Sequence, residues 1–301
     1  MNRFENMETF IRVVEAGSIS GAADRMGIAK SAVSRRLKEL EGHLGVELFH
    51  RTTRRMNLTE TGRAYYHQAV RILDDVLEAE IATSQAHTEL QGVLKVALPL
   101  TFGMMHLGPA INDFLLAHPN IEFDLDFNDR EVDLIQEGFD LAIRIAKLSD
   151  SSLIARRLFS VNMIMVASSA YLDRMGTPTT PQDLAEHQCL AYSVTHDFET
   201  WHFVDKNKKP IAVRIKPYIK ASNGSFLRDA AIKGFGITSQ PSFINYKEIQ
   251  SGLLQPILTD YTHSELNAYA VYPQTRHLSQ RVRTFVDFLV KRFEGTPYWD
   301  E

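Results

Sequence analysis

Nine basic side chains, Arg25, Lys30, Arg35, Arg36, Lys38, Arg51, Arg54, Arg55 and Arg63, fall in one stretch that holds four acids, Glu39, Glu41, Glu47 and Glu60. Grouped guanidinium and ammonium ions can neutralise phosphates, and side chains at the start of a helix can reach base edges in a major groove. The 301-residue chain is acidic as a whole, with a formal net charge of -4. No general basic coat exists, so any affinity for nucleic acid must come from placement.

A second place for chemistry is Leu98-Pro99-Leu100-Thr101-Phe102-Gly103, which follows a buried-type strand. In wound α/β sheets, ligands bind beyond the carboxyl ends of strands, where helix N-termini face the crevice. Thr101 offers a hydroxyl there, and the following N–H groups carry partial positive charge, so a carboxylate or similar anion is the natural guest. Asn128, just past the next strand, and Asn223, just before a helix led by Ser225, occupy analogous ends. Thr101 and Asn223 can equally serve as helix caps, and Asn128 as a turn former.

Catalytic patterns are missing. Gly17-Ser18-Ile19-Ser20-Gly21 has serines second and fourth, where a nucleophile elbow needs one third. Gly234-Phe235-Gly236 lacks the third glycine of a dinucleotide loop, and the eleven histidines show no metal-ligand spacing. His196 and His202 read as structural. A single cysteine, Cys189, rules out an intramolecular disulfide and a cysteine-based zinc site, and reads as a small buried hydrophobe. No cofactor is expected. Reduced cysteine, no signal-like start between Met1 and Glu8 and no long uncharged apolar run point to the cytoplasm and away from membranes.

These groups need elements to hold them. Met7, Phe10, Ile11 and Val14 recur at helical spacing up to Gly17. A second helix is predicted after Ser18 or Ser20, closed by Gly27. A third carries Val33, Leu37, Leu40 and Leu44 and ends at Gly45. Helix, tight turn, helix is the reading, followed by a two-stranded wing between Val46 and Leu58. Thr59 caps a long helix to about Glu89, whose Tyr66, Ala69, Leu73, Val76 and Ile81 form a seam suited to a partner helix; Tyr65 and Tyr66 read as packing residues. Beyond Gln91 short strands alternate with helices, as in a largely parallel α/β sheet. Strands are predicted at 93–98, 121–127, 141–145, 163–167, 211–215, 236–239 and 268–272. One helix is expected to bury Met104, Leu107, Ile111 and Phe114. A last helix from Ser279 buries Val282, Phe285, Val286, Leu289 and Phe293.

With these elements in place, residues 1–62 resemble the winged helix-turn-helix of the LysR-type transcriptional regulators. The resemblance is carried by Met7-Glu8-Thr9-Phe10, Ala16-Gly17-Ser18, Ala22-Ala23, Ser31-Ala32-Val33-Ser34-Arg35, Leu40-Glu41, Leu44-Gly45, Leu48-Phe49-His50-Arg51 and Leu58-Thr59-Glu60-Thr61-Gly62. It extends more weakly through Asp140-Leu141-Ala142-Ile143-Arg144, Ser151-Ser152-Leu153-Ile154-Ala155, Leu227-Arg228-Asp229-Ala230-Ala231 and Gly234-Phe235-Gly236-Ile237. It implies a multidomain chain: a helix-turn-helix domain over 1–62, a linker and dimerisation helix over 63–90, and an α/β effector domain like a type 2 periplasmic binding protein over 91–301. Its lobes would be about 91–162 with 266–301, and about 163–265.

By this resemblance Lys30, Ser31, Ser34 and Arg35 reach the groove, with Arg35 suited to a bidentate contact to guanine, while Arg36, Arg51, Thr52 and Arg54 hold phosphates. Ala29 and Lys30 depart from the family's usual serine and glutamine. Loss of that cap would start the helix slightly late, near Ser31, and Lys30 exchanges a base reader for a point charge. The effector pocket maps onto Leu100, Thr101, Phe102, Asn128 and Asn223, and onto His196, Phe198, Thr200 and Trp201. Arg144 reads as a surface or ion-paired residue. The implied partners are double-stranded DNA, a small-molecule effector, a second copy of the chain in a dimer and tetramer, and RNA polymerase. Two alternatives stay open: a second domain that only assembles tetramers, and an enzyme with an appended DNA reader.

Overall fold

The computed structural model describes residues 2–50, 56–83, 89–147, 153–194, 197–263, 266–274 and 278–301. The chain divides into two compact units, one holding residues 1–90 with the short segments 133–139 and 275–280, the other holding the remainder.

In the first unit α1 (Arg3–Ala16) ends at Gly17, and α2 (Ile19–Met26) begins on Ser18, whose side chain accepts from Gly21 N. Gly27 sits at φ 65°, the left-handed conformation that closes α2 and lets the chain reverse into α3 (Lys30–Leu44). Phe10, Ala22, Ala23, Val33, Leu37 and Leu40 are buried where the three helices meet; the two alanines are small because α2 crosses its neighbours closely. The wing is a two-stranded antiparallel ribbon of β1 (Phe49–His50) and β2 (Asn57–Leu58). Thr59 caps α4 (Glu60–Thr83), its hydroxyl accepting from Gly62 N at 2.8 Å. Gly62 has a steric reason as well: a Cβ there would stand 2.0 Å from the Leu48 carbonyl oxygen. Tyr65 and Tyr66 pack against the buried cluster, Tyr65 with its ring 5.5 Å from that of Phe10, as packing residues should. The predicted run of α4 to Glu89 passes through residues outside those described, as does the side chain of Ile81.

In the second unit β3 (Gly92–Leu98) leads into α5 (Leu100–Phe102), a π-helical turn over Gly103–Leu107 and α6 (Gly108–Ala117). The π turn inserts a residue into the helical phase. Leu107, Ile111 and Phe114 are buried as expected, but Met104 is turned out and is 67% exposed, with Phe102 and His106 inside instead. After β4 (Ile121–Phe127), β5 (Leu141–Ala146) and β6 (Leu153–Val161) the chain crosses into a second lobe. This lobe is built from β7 (Met163–Ala167), α7 (Ser169–Met175), β8 (Cys189–Tyr192), β9 (Thr200–Val204), β10 (Pro210–Arg214), β11 (Pro217–Ala221) and α8 (Gly224–Ile232). It continues through β12 (Ile237–Pro241), α9 (Ser242–Gln250), β13 (Gln255–Ile257) and β14 (Thr262–His263). The chain then returns through β15 (Leu266–Pro273) and α10 (Gln280–Arg292).

Lobe I is a five-stranded sheet in the order β4-β3-β5-β15-β6, and lobe II another in the order β11-β8-β12-β7-β13, with a small β10-β9-β14 sheet against its core. Both large sheets are mixed, which corrects the expectation of a largely parallel one. The strands that leave and re-enter each lobe, β6 and β15 in the first and β7 in the second, pair antiparallel because the chain passes between lobes twice.

Candidate functional site

The side chains expected to meet DNA are held by the burial of the opposite face of α3. Val33, Leu37 and Leu40 fix the helix, so Lys30, Ser31, Arg35 and Lys38 are exposed and Ser34 is half-buried. Arg35 is 73% exposed and its Nε lies 3.8 Å from Glu39 Oε1, a surface pair that holds it weakly. Two expectations change. The helix starts at Lys30, not late at Ser31: Ala29 is the N-cap, in extended conformation and with no side-chain cap bond, while its carbonyl already accepts from Ala32 N and Val33 N. Arg36, expected on a phosphate, is turned back onto α1, with Nη2 2.7 Å from Glu5 Oε2 and Nη1 donating to Thr9 Oγ1 at 3.3 Å. Arg51, Thr52 and Arg54 lie outside the described residues.

The second candidate lies between the lobes, where lobe I contributes the ends of β3 and β4. Leu100 N donates to Asp129 Oδ1 at 2.9 Å, and Asn128 Oδ1 accepts from Arg130 N, the turn-forming role foreseen for it. Asp129 also hydrogen-bonds the Tyr192 hydroxyl at the end of β8, so one carboxylate serves both lobes; burial and this charge together push the Tyr192 phenol up. Lobe II contributes the start of α8. Asn223 caps it by accepting from Phe226 N at 2.8 Å, and Gly224 is buried with the end of the Ile244 side chain against it, 2.7 Å from where a Cβ would stand. A Cβ on Gly224 would stand 3.8 Å from Thr101 Oγ1 and 3.6 Å from Gln240 Nε2. Thr101, Asn223, Gly224 and Gln240 therefore converge.

Other expected pocket residues are placed elsewhere. The Phe102 ring is 1% exposed and belongs to an aromatic cluster with His106, Phe159, Phe243, Phe293 and Trp299, not to a ligand surface. Phe198 and Trp201 pack against the core of lobe II, and Thr200 and Trp201 belong to β9, the middle strand of the small sheet, where Thr200 pairs with Arg214, so this segment is committed to that layer. His196 lies outside the described residues. Arg144 is ion-paired to Glu131 and donates to Val132 O, in line with a structural role. Cys189 is buried and its thiol is pushed up to about 12 by desolvation, which leaves it unreactive.

Gln240, Asp129 and His106 were not anticipated. His106 is buried, its Nε2 3.1 Å from the Phe243 carbonyl and its Nδ1 2.6 Å from the Tyr298 hydroxyl, and burial brings its pKa down to about 4. A lone histidine on an apolar helix carries no sequence signal for such a role, and Gln240 shows only as a polar residue before Pro241.

Residues 4–63 match the bacterial regulatory helix-turn-helix protein family of lysR type, and residues 87–294 match the LysR substrate binding domain. The chain is 37% identical over 288 residues to the HTH-type transcriptional regulator CrgA of Neisseria meningitidis serogroup C, covering 95% of this chain and 96% of that one. An HTH-type transcriptional regulator of Xanthomonas campestris is 35% identical over 94% of this chain and 83% of its own. Among solved structures, CrgA aligns with a TM-score of 0.63 at 36% identity over 97% of this chain and 99% of that one. The full-length virulence activator AphB of Vibrio cholerae aligns with a TM-score of 0.62 at 26% identity over 96% and 99%. With both halves matched along nearly the whole length, this chain belongs to the LysR family of transcription regulators, DNA-binding proteins whose activity a small-molecule effector modulates.

Proposed function

We propose that this chain is a cytoplasmic, non-catalytic regulator. In this reading it reads a pseudo-palindromic operator as a dimer, assembles further into a tetramer, and responds to a small anionic effector in the cleft between its lobes. The observation that carries the DNA-binding half is the exposed row of Lys30, Ser31 and Arg35 on a helix whose other face is locked in a core. Such a helix enters the major groove by its N-terminal turns, with half-sites about one DNA turn, ~34 Å, apart. Ser34 completes the row, and Arg51, Thr52 and Arg54 are proposed to hold phosphates.

For the effector, the convergence of Thr101 and the α8 start favours an anion, because unpaired N–H groups at a helix N-terminus attract negative charge. Closure of one lobe on the other would then change the spacing of the DNA heads and their offer to RNA polymerase. Footprinting of the full chain on DNA selected from a random pool tests the reading. Two protected half-sites a turn apart are expected, with spacing or bending altered by a compound that raises the melting temperature of the protein and fails to do so for Thr101→Val. A single protected site, or a bound compound that changes neither protection nor bending, would overturn it.

A further inference from the structure

Gln240 is 2% exposed, and only half of its amide is used: Nε2 donates to Gly224 O at 2.8 Å, and Oε1 has no partner. The Gly224 carbonyl decides which way the amide faces, since an acceptor can meet only the NH2 end. The acceptor end is thus held in place with nothing to accept from. It is not an isolated case: of seven buried side-chain atoms without a hydrogen-bond partner among the described residues, five fall between Gln240 and Glu248, including both amide atoms of Asn245, which is fully buried. Buried polar groups are ordinarily paired, with protein, ordered water or ligand, so the orphaned Gln240 Oε1, the one of these beside the α8 start, calls for a donor.

The location ties this to the cleft. Gln240 bonds the first residue of α8, within reach of Thr101 from the opposite lobe. Asn223 satisfies Phe226 N and leaves the earlier N–H groups of α8 to an anion. A ligand whose carboxylate meets those groups would lie beside the Gln240 amide, whose Nε2 stands 3.6 Å from a Cβ placed on Gly224. What the amide lacks is a donor.

We propose that Gln240 is a specificity-determining residue of the effector cleft. Its Oε1 accepts a hydrogen bond from a hydroxyl or ammonium on the carbon beside the effector's carboxylate, so the effector class is small 2-hydroxy or 2-amino acids. This rests on the anion reading of the cleft and names what else the ligand must carry.

The test compares matched acids by isothermal titration of the full chain: propionate, lactate and alanine; butyrate, 2-hydroxybutyrate and 2-aminobutyrate; phenylacetate, mandelate and phenylglycine. In at least one series the hydroxy or amino acid is expected to bind about tenfold more tightly than its unsubstituted parent, the effect of one good hydrogen bond. Gln240→Met, similar in length, is expected to erase that preference, bringing the ratio of derivative to parent affinity to about one whatever the parent's own affinity becomes. Should the variant misfold, as circular dichroism would show, Gln240→Leu and the wild-type comparison still decide. Equal binding of parents and derivatives overturns the proposal while sparing the anion cleft, because Oε1 is then met by water. Preference that survives in Gln240→Met also overturns it. Absence of binding by all nine at about 10 mM overturns the ligand class; a melting shift from other anions, lost in Thr101→Val, would then show whether the cleft reading itself stands.

Discussion

Lys30, Ser31 and Arg35 stand exposed on α3, whereas Thr101, Gly224 and Gln240 are buried where the lobes meet. The first group takes little part in folding its unit: Val33, Leu37 and Leu40 hold the helix, and the side chains proposed to read DNA extend from it. In the second group the same atoms hold the fold and would hold the ligand. Asn223 caps α8 and Gln240 ties the end of β12 to its first residue. On α3, function can be changed without touching stability; in the cleft the two are coupled, because buried polar groups cost stability when a partner is lost.

The largest expected effect shows that tolerance on the DNA-binding side ends at the surface. Gly62→Ala would press a Cβ against the Leu48 carbonyl, a backbone atom that cannot turn aside. It should destabilise that unit by about 3 kcal/mol or more. Circular dichroism and limited proteolysis should report loss of the winged fold; a melting curve equal to wild type would contradict the packing described.

Next comes the separation itself. Arg35→Ala should cost about 1–3 kcal/mol of operator affinity and relax preference at one base pair. Folding stability should stay within about 0.5 kcal/mol, because the exposed pair with Glu39 contributes little. Equal loss on every DNA sequence would reassign Arg35 to phosphate, and a comparable loss of stability would break the contrast with the cleft.

The regulatory unit should answer instead to pH. His106 titrates at about 4 in the fold, against 6.5 ordinarily, with burial as the main cause and the nearby Lys247 charge acting in the same direction. Its charged form is disfavoured in the folded state, so the unfolded chain binds more protons between these values. Stability is therefore full above about pH 6.5 and falls as the pH drops towards 4. His263, also lowered to about 4 by burial, acts in the same window. His106→Phe should remove about 1–2 kcal/mol of this pH-dependent loss, leaving the share of His263. An unchanged dependence of melting temperature on pH between 4 and 7 would show that His106 is not buried uncharged.

The helix-turn-helix was legible because its signals are local. Gly17, Gly27 and Gly45 close their helices, Ser18 and Thr59 open theirs, and the apolar spacing of α3 leaves one face for its core. The cleft was half legible. Thr101 and Asn223 could be placed because helix starts after strands follow a rule, but Gln240 meets Gly224 sixteen residues away in sequence, through a pairing of β12 and α8 that no periodicity encodes. Met104 is turned out by a π turn that shifts the helical phase and leaves no mark in an apolar pattern; Phe102, expected in the pocket because it follows the end of β3, joins an aromatic cluster whose members are far apart in sequence. Phe198 and Trp201 are expected in the pocket only through the family resemblance, which locates a segment but not the direction of its side chains, and both rings pack against the core of lobe II.

Ala29 offers the smallest test of the contrast. Its φ of -67° and ψ of 142° are those of an N-cap, and no side chain accepts from the first turn of α3. A serine at this place would find its backbone already set and could accept from the N–H groups two or three residues on, so Ala29→Ser should raise stability by about 1 kcal/mol. The substitution leaves Lys30, Ser31 and Arg35 where they are. If recognition depends only on the exposed row, operator affinity should change less than twofold while the melting temperature rises by a few degrees. If operator affinity falls instead, the unpaired N–H groups at the start of α3 are themselves meeting a phosphate, and the helix end joins the reading surface.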